Sequence, residues 1–121
     1  MTLQMTHREQ LNHALTHESG HAVMAVLQTI PCRGIFFERG ISGGRFCTIY
    51  ALPPGDPSHS DYRVAAAGFA AETLLLPNPD VEGSKHDRVM FDRAGAPTFD
   101  ATLSEAKQLL EANRNQLLNP A

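Results

Sequence analysis

Five consecutive residues, His17-Glu18-Ser19-Gly20-His21, have types and a spacing that could do chemistry. An α-helix turns once every 3.6 residues, so side chains four positions apart share a face. On a helix, the two imidazoles would stand one turn apart and grip one metal ion between them. Glu18 follows the first histidine, about 100° further round the helix. That offset aims it at a metal's water rather than at the metal. Zinc lowers the pKa of a bound water to about 7, and a neighbouring carboxylate can take the remaining proton and pass it to a leaving amine. The pattern HExxH therefore points to hydrolysis by metal-activated water, with His17 and His21 as ligands and Glu18 as general base. Gly20 costs a mid-helix position about 1 kcal/mol against alanine, which suggests that another backbone comes close there. His13 and His17 make a second pair four apart, but Ala14 follows His13, so that pair has no base. His7 and His13 read as solvated helix surface.

Two histidines need a third protein ligand. A metzincin would have glycine at 24 and histidine at 27, where this chain has Met24 and Leu27. A thermolysin-type glutamate would be Glu38, beyond Pro31 on an expected strand and poorly placed. Glu72, His86 and Asp87 remain as candidates.

Punctuation and periodicity give the elements that must position these groups. Thr6-His7-Arg8-Glu9 fits a capping box, and Leu11, Leu15, Ala22, Val23, Val26 and Leu27 recur at helical spacing down to Pro31. Residues 34–38 and 45–50 read as two short strands, with Gly40, Gly43 and Gly44 supplying the turn between them. Ser58-His59-Ser60-Asp61 opens an alanine-rich helix through about Leu76, which Pro77-Asn78-Pro79-Asp80 breaks. A short helix starts near Ser84 with Asp87 in its first turn. A last helix, capped by Thr102 with Glu105 or slightly earlier, runs to about Leu118. The expected fold class is α+β, mainly α: a zincin-like HExxH helix, a small β-hairpin or sheet, and about three further helices.

Composition narrows the function classes. The chain has 121 residues, room for a single domain over 1–121. Ten basic against thirteen acidic side chains leave a net charge of -3, with no basic footprint for nucleic acid or an anionic membrane. Cys32 and Cys47 are no disulfide framework and read as reduced thiols, so a cytoplasmic protein is expected. The apolar runs are far short of the ~20 residues that span a bilayer, and the first residues lack the pattern of a signal peptide.

The ordered set of motifs resembles the peptidase domain of FtsH-type AAA+ zinc metalloproteases. His17-Glu18-Ser19-Gly20-His21-Ala22 stands where that family typically reads HEAGHA. Gly43-Gly44-Arg45-Phe46-Cys47-Thr48 and Leu52-Pro53 resemble its glycine-led strand, and Gly68-Phe69-Ala70-Ala71-Glu72 its G-x-x-A-E helix. Gly83-Ser84-Lys85-His86-Asp87 resembles the Gly-Ala-Ser-Asn-Asp stretch whose closing aspartate is the third zinc ligand. The resemblance implies zinc on His17, His21 and Asp87, with Glu18 as general base. It also implies that Gly44, Arg45, Phe46, Cys47 and Thr48 pair with an extended peptide substrate by strand addition. The chain departs from the family at His86, Thr73 and Phe91-Asp92, and its 121 residues hold no ATPase module or membrane anchor. The expectation is a stand-alone zinc metallopeptidase acting on short or unfolded polypeptides. A separate ATPase partner would fit the missing motor, and the apolar surface of the C-terminal helix leaves self-association open. The alternative is a metal-binding adaptor of the same fold with little or no turnover, and a non-peptide amide hydrolase is a weaker third reading.

Overall fold

A computed structural model of the chain describes residues 7–40, 43–50 and 57–115, the two strands by their backbone. Helix α1 spans His7–Leu27, strands β1 and β2 span Cys32–Gly40 and Gly43–Tyr50, and helix α2 spans His59–Leu75. A run of single turns follows: a 3-10 turn at Glu82–Ser84, the short helix α3 at Lys85–Arg88 and a second 3-10 turn at Val89–Asp92. Helix α4, Phe99–Ala112, completes the order.

The α+β class expected from the sequence is corrected to a mainly helical fold built on four helices. Among the described residues, the segment between α1 and α2 makes two antiparallel strands, paired with each other from Cys32↔Tyr50 to Gly40↔Gly43 and lying beside α1. The described core is drawn from helices: Val23, Met24 and Ala25 of α1, Val64, Ala66, Ala67, Ala70 and Ala71 of α2, and Ala106 and Leu110 of α4.

Helix α2 sits at the centre, and its composition explains why. Every residue from Val64 to Glu72 is buried, which no one-sided amphipathic helix allows. Its alanines let α1 pack closely on one side and α4 on the other. Ser58 caps it as the motif predicts: its hydroxyl accepts from the Asp61 amide, and Asp61 accepts in return from the Ser58 amide at 2.7 Å. Helix α4 is capped by Thr98, whose hydroxyl accepts from the Ala101 amide at 3.2 Å. Thr98 is thus the slightly earlier cap that the sequence allows, and Thr102 is buried one turn inside the helix. Leu103, Leu109 and Leu110 of the apolar C-terminal face pack into or against the core, while Leu117 and Leu118 lie outside the described residues. So does Thr6, the expected cap of α1.

Helix α1 stops at Leu27, short of Pro31, in a Schellman motif. The Ile30 amide donates to the Ala25 carbonyl at 2.8 Å and the Thr29 amide to the Val26 carbonyl at 3.0 Å. This geometry puts Thr29 at a φ of +57°, a left-handed conformation that strains a β-branched residue. Thr29→Gly is expected to stabilise the fold by about 1 kcal/mol and raise Tm by a few degrees, while Thr29→Ala gives little gain. Thermal denaturation of the two variants checks this.

Candidate metal centre

His17 and His21 project from one face of α1 toward α2, their rings nearly perpendicular with centroids 4.7 Å apart. Each ring is oriented by the nitrogen that faces away from its neighbour. His17 Nδ1–H donates to Glu72 Oε2 at 2.7 Å, and His21 Nδ1–H donates to the Val64 carbonyl at 2.7 Å. With both Nδ1 protons engaged, the two Nε2 atoms face each other at 3.0 Å, each offering a lone pair to a metal when it carries no proton. Asp87 closes the group, with Oδ2 at 2.7 Å from His17 Nε2 and 3.2 Å from His21 Nε2. The group His17, His21 and Asp87 could hold a metal ion.

The donor set passes a physical test of that reading. Two imidazole lone pairs and a carboxylate oxygen converge on one point, and three acceptors at such separations repel unless positive charge lies between them. Ligands about 2.0–2.1 Å from a tetrahedral ion stand about 3.3 Å apart, close to the spacings found here. The space itself is kept clear by a glycine. A Cβ on Gly68 would lie 2.6 Å from both Nε2 atoms. Gly20 answers a different need. A Cβ there would run into the Ala67 carbonyl oxygen and lie 2.7 Å from the Ala71 methyl, so α1 and α2 touch backbone to backbone.

Without a metal, a proton takes the central place. Burial alone would lower the pKa of His17, but its bonds to Asp87 and Glu72 outweigh that and raise it to about 10. Burial would likewise raise Asp87, and the bonds from His17 and His21 hold it well below the ordinary carboxylate range instead.

Asp87 reaches the group from α3, which has only four residues and no side-chain cap. Neighbours hold it in place. The Arg88 guanidinium stacks 4.0 Å over the Phe99 ring and 5.4 Å from that of Phe69, and its Nε donates to the buried Ser84 hydroxyl at 3.2 Å. Phe91 stands edge-on to Phe99 and beside Tyr62, with ring centroids 5.1 Å apart in each pair.

Of the three candidates for the third ligand, the structure brings Asp87 to the histidines. His86 is exposed and outside the group. Glu72, only 1% exposed, supports His17 from behind, and its second oxygen accepts from the Asp80 amide at 2.9 Å. Glu18 lies half-buried on α1 next to His17 and makes contacts of its own. Gly44, Arg45, Phe46, Cys47 and Thr48 lie on β2 beside α1, their side chains outside the description. The reading of His13 as solvated surface is corrected. It is buried, and its two ring nitrogens meet the carbonyls of Glu9 and Asn78. Periodicity along α1 shows nothing of a loop arriving from 65 residues further on.

Sequence reasoning missed the parts played by Gly68, the Val64 carbonyl and the Asp80 amide. A signal was present in the spacing: 64, 68 and 72 form one stripe of α2, matching the stripe of 17 and 21 on α1.

Compared with known proteins, the chain matches no protein-family model, and no curated protein is significantly similar to it. Among the described residues no helix is long and apolar enough to cross a membrane.

Two outcomes follow for the metal. Gly68→Ala should still fold, because its Cβ meets only movable imidazole ends, but should weaken zinc binding by roughly a hundredfold. Gly20→Ala meets backbone and should instead destabilise the fold by about 1–3 kcal/mol. Zinc titration against a chromogenic chelator, paired with thermal denaturation, separates the two. The second outcome concerns pH. A group whose pKa is raised on folding stabilises fully below its unfolded value and loses that contribution on the way up to its folded one. The His17 contribution to metal-free protein should thus fade between pH 6.5 and about 10. Zinc competes with that proton, so the Tm increment from added zinc should grow over the same range. A zinc increment that does not change with pH would remove His17 as a ligand.

Proposed function

We propose that the chain is a zinc metallopeptidase domain that hydrolyses peptide bonds of short or unfolded polypeptides. The observation that carries this reading is the convergence of His17 Nε2, His21 Nε2 and Asp87 Oδ2 next to a glutamate that follows the first histidine in the same helix. Two imidazoles and one carboxylate suit zinc and leave a fourth position open for catalysis. When bound, zinc polarises a carbonyl and brings the pKa of water near neutrality.

The protein's own groups do the rest. Glu18 accepts a proton from the attacking water and returns it to the departing amine. Glu72 and the Val64 carbonyl hold the imidazoles in the tautomer that offers Nε2, which raises their strength as ligands. Gly68 keeps the reacting space free of side chain. Strand β2 pairs with β1 along one edge, and its other edge, unpaired among the described residues, is suited to an extended peptide. On this reading Gly44–Thr48 supply main-chain hydrogen bonds to substrate, which demands little of substrate sequence.

Glu18→Gln tests the mechanism. It should keep zinc at wild-type stoichiometry and lower cleavage of an unstructured substrate by roughly 10²–10⁴-fold. Full activity in that variant would sink the proposed role of Glu18. Wild-type protein that binds zinc and cleaves no unstructured substrate would mark a metal-binding adaptor instead.

A further inference from the structure

One buried titratable side chain near the site takes no part in the chemistry above. His13 lies one turn before His17 on α1 and is 9% exposed. Its Nδ1 is 2.8 Å from the Glu9 carbonyl on its own helix, and its Nε2 meets the Asn78 carbonyl in the loop that follows α2. A carbonyl oxygen only accepts, so both ring nitrogens must donate, which a neutral imidazole cannot do. Burial opposes the charge, but the two carbonyls outweigh it, helped by the carboxylates of Glu72 on α2 and Asp80 in the loop. His13 thus clamps α1 to the 77–80 segment, an arrangement that favours the protonated ring.

That segment has a second attachment. Two residues beyond Asn78, the Asp80 amide donates to Glu72 Oε1, and the other oxygen of Glu72 receives the Nδ1 proton of His17. The links run in series: Glu9 carbonyl, His13, Asn78, Asp80, Glu72, His17.

We propose that His13 is a positioning residue for the metal centre, tying the Asn78–Asp80 turn to α1 so that the Asp80 amide holds Glu72 and Glu72 holds His17. The proposal rests on the reading of His17, His21 and Asp87 as metal ligands. His13 lies outside that ligand group and acts through Glu72.

A double-mutant cycle on zinc affinity tests this, using the full chain and a competing chromogenic chelator with His13→Gln, Glu72→Gln and the pair. A glutamine side chain donates only through its terminal amide nitrogen and so does not reproduce the two-ended clamp. Direct outer partners of a ligand are worth about 10–100-fold in metal affinity, and one link further out His13→Gln should cost about 3–10-fold. In the Glu72→Gln background the same change should cost nothing further, because the link it acts through is already weakened. His13→Lys, which retains a charged donor, should recover part of the loss. Leu110→Ala, in the core on α4, should lower Tm while leaving zinc affinity as in wild type, which separates positioning from general stability. Wild-type affinity in His13→Gln, or a loss of the same factor with and without Glu72, would overturn the role given to His13 alone. Failure of the wild-type chain to bind zinc would overturn the metal reading, and this proposal with it.

Discussion

Helices α1 and α2 meet so closely that at two points one of them has no room for a side chain, and the metal group depends on that approach. At Gly20 the limit is backbone, because the next turn of α2 offers a carbonyl and a methyl where a Cβ would go. At Gly68 the limit is the site, because the ends of two imidazoles occupy the place of a Cβ. A mid-helix glycine costs about 1 kcal/mol against alanine. Tolerating two of them makes sense only where contact replaces what the helix loses. The alanines of α2 serve the same end, letting α1 and α4 pack against one central helix whose residues Val64–Glu72 are buried throughout.

Closeness alone would leave the histidines free to turn. Their orientation comes from groups one layer out: a buried carboxylate behind His17 and a main-chain carbonyl behind His21. A carbonyl only accepts, so it fixes the His21 tautomer outright. Glu72 does the same for His17 and adds negative charge, and is itself held by the Asp80 amide. Burying a carboxylate is costly unless its oxygens are bonded, and here both are. The result is a pair of Nε2 atoms aimed at one point, so an ion that displaces the central proton finds both imidazoles already oriented.

How much of this can be read from residues alone depends on the range of the interaction. The histidine pair on α1 is local: a spacing of four on a helix suffices, and Gly20 already announces a close neighbour. The cap at Ser58–Asp61 is equally local. Glu72 is the instructive intermediate. Its residue type and place near the motif make it a ligand candidate, yet whether a carboxylate binds the metal or the histidine depends on a few ångströms between two helices, which sequence pattern does not fix. His13 is misread for the same reason, since its burial comes from a loop 65 residues away. The class is misjudged differently. The α+β label gave weight to a small hairpin or sheet, whereas the fold is mainly helical and its described core is drawn from helices.

The three residues of the candidate metal group also differ in what holds them. His17 and His21 ride on a helix of 21 residues that contributes to the core and is stable through that packing. Asp87 rides on four residues, far below the length at which a helix is stable by itself, so its position is set by what surrounds it. Arg88 on the faces of Phe69 and Phe99, and Phe91 against Tyr62 and Phe99, anchor that segment to α2 and α4. An ion shared by all three ligands would therefore join a firmly packed pair to a conditionally held third. Binding energy goes to whichever state the ligand favours. Here that state is the one with the 82–92 segment docked, so a bound metal would order this segment far more than it would the α1–α2 pair.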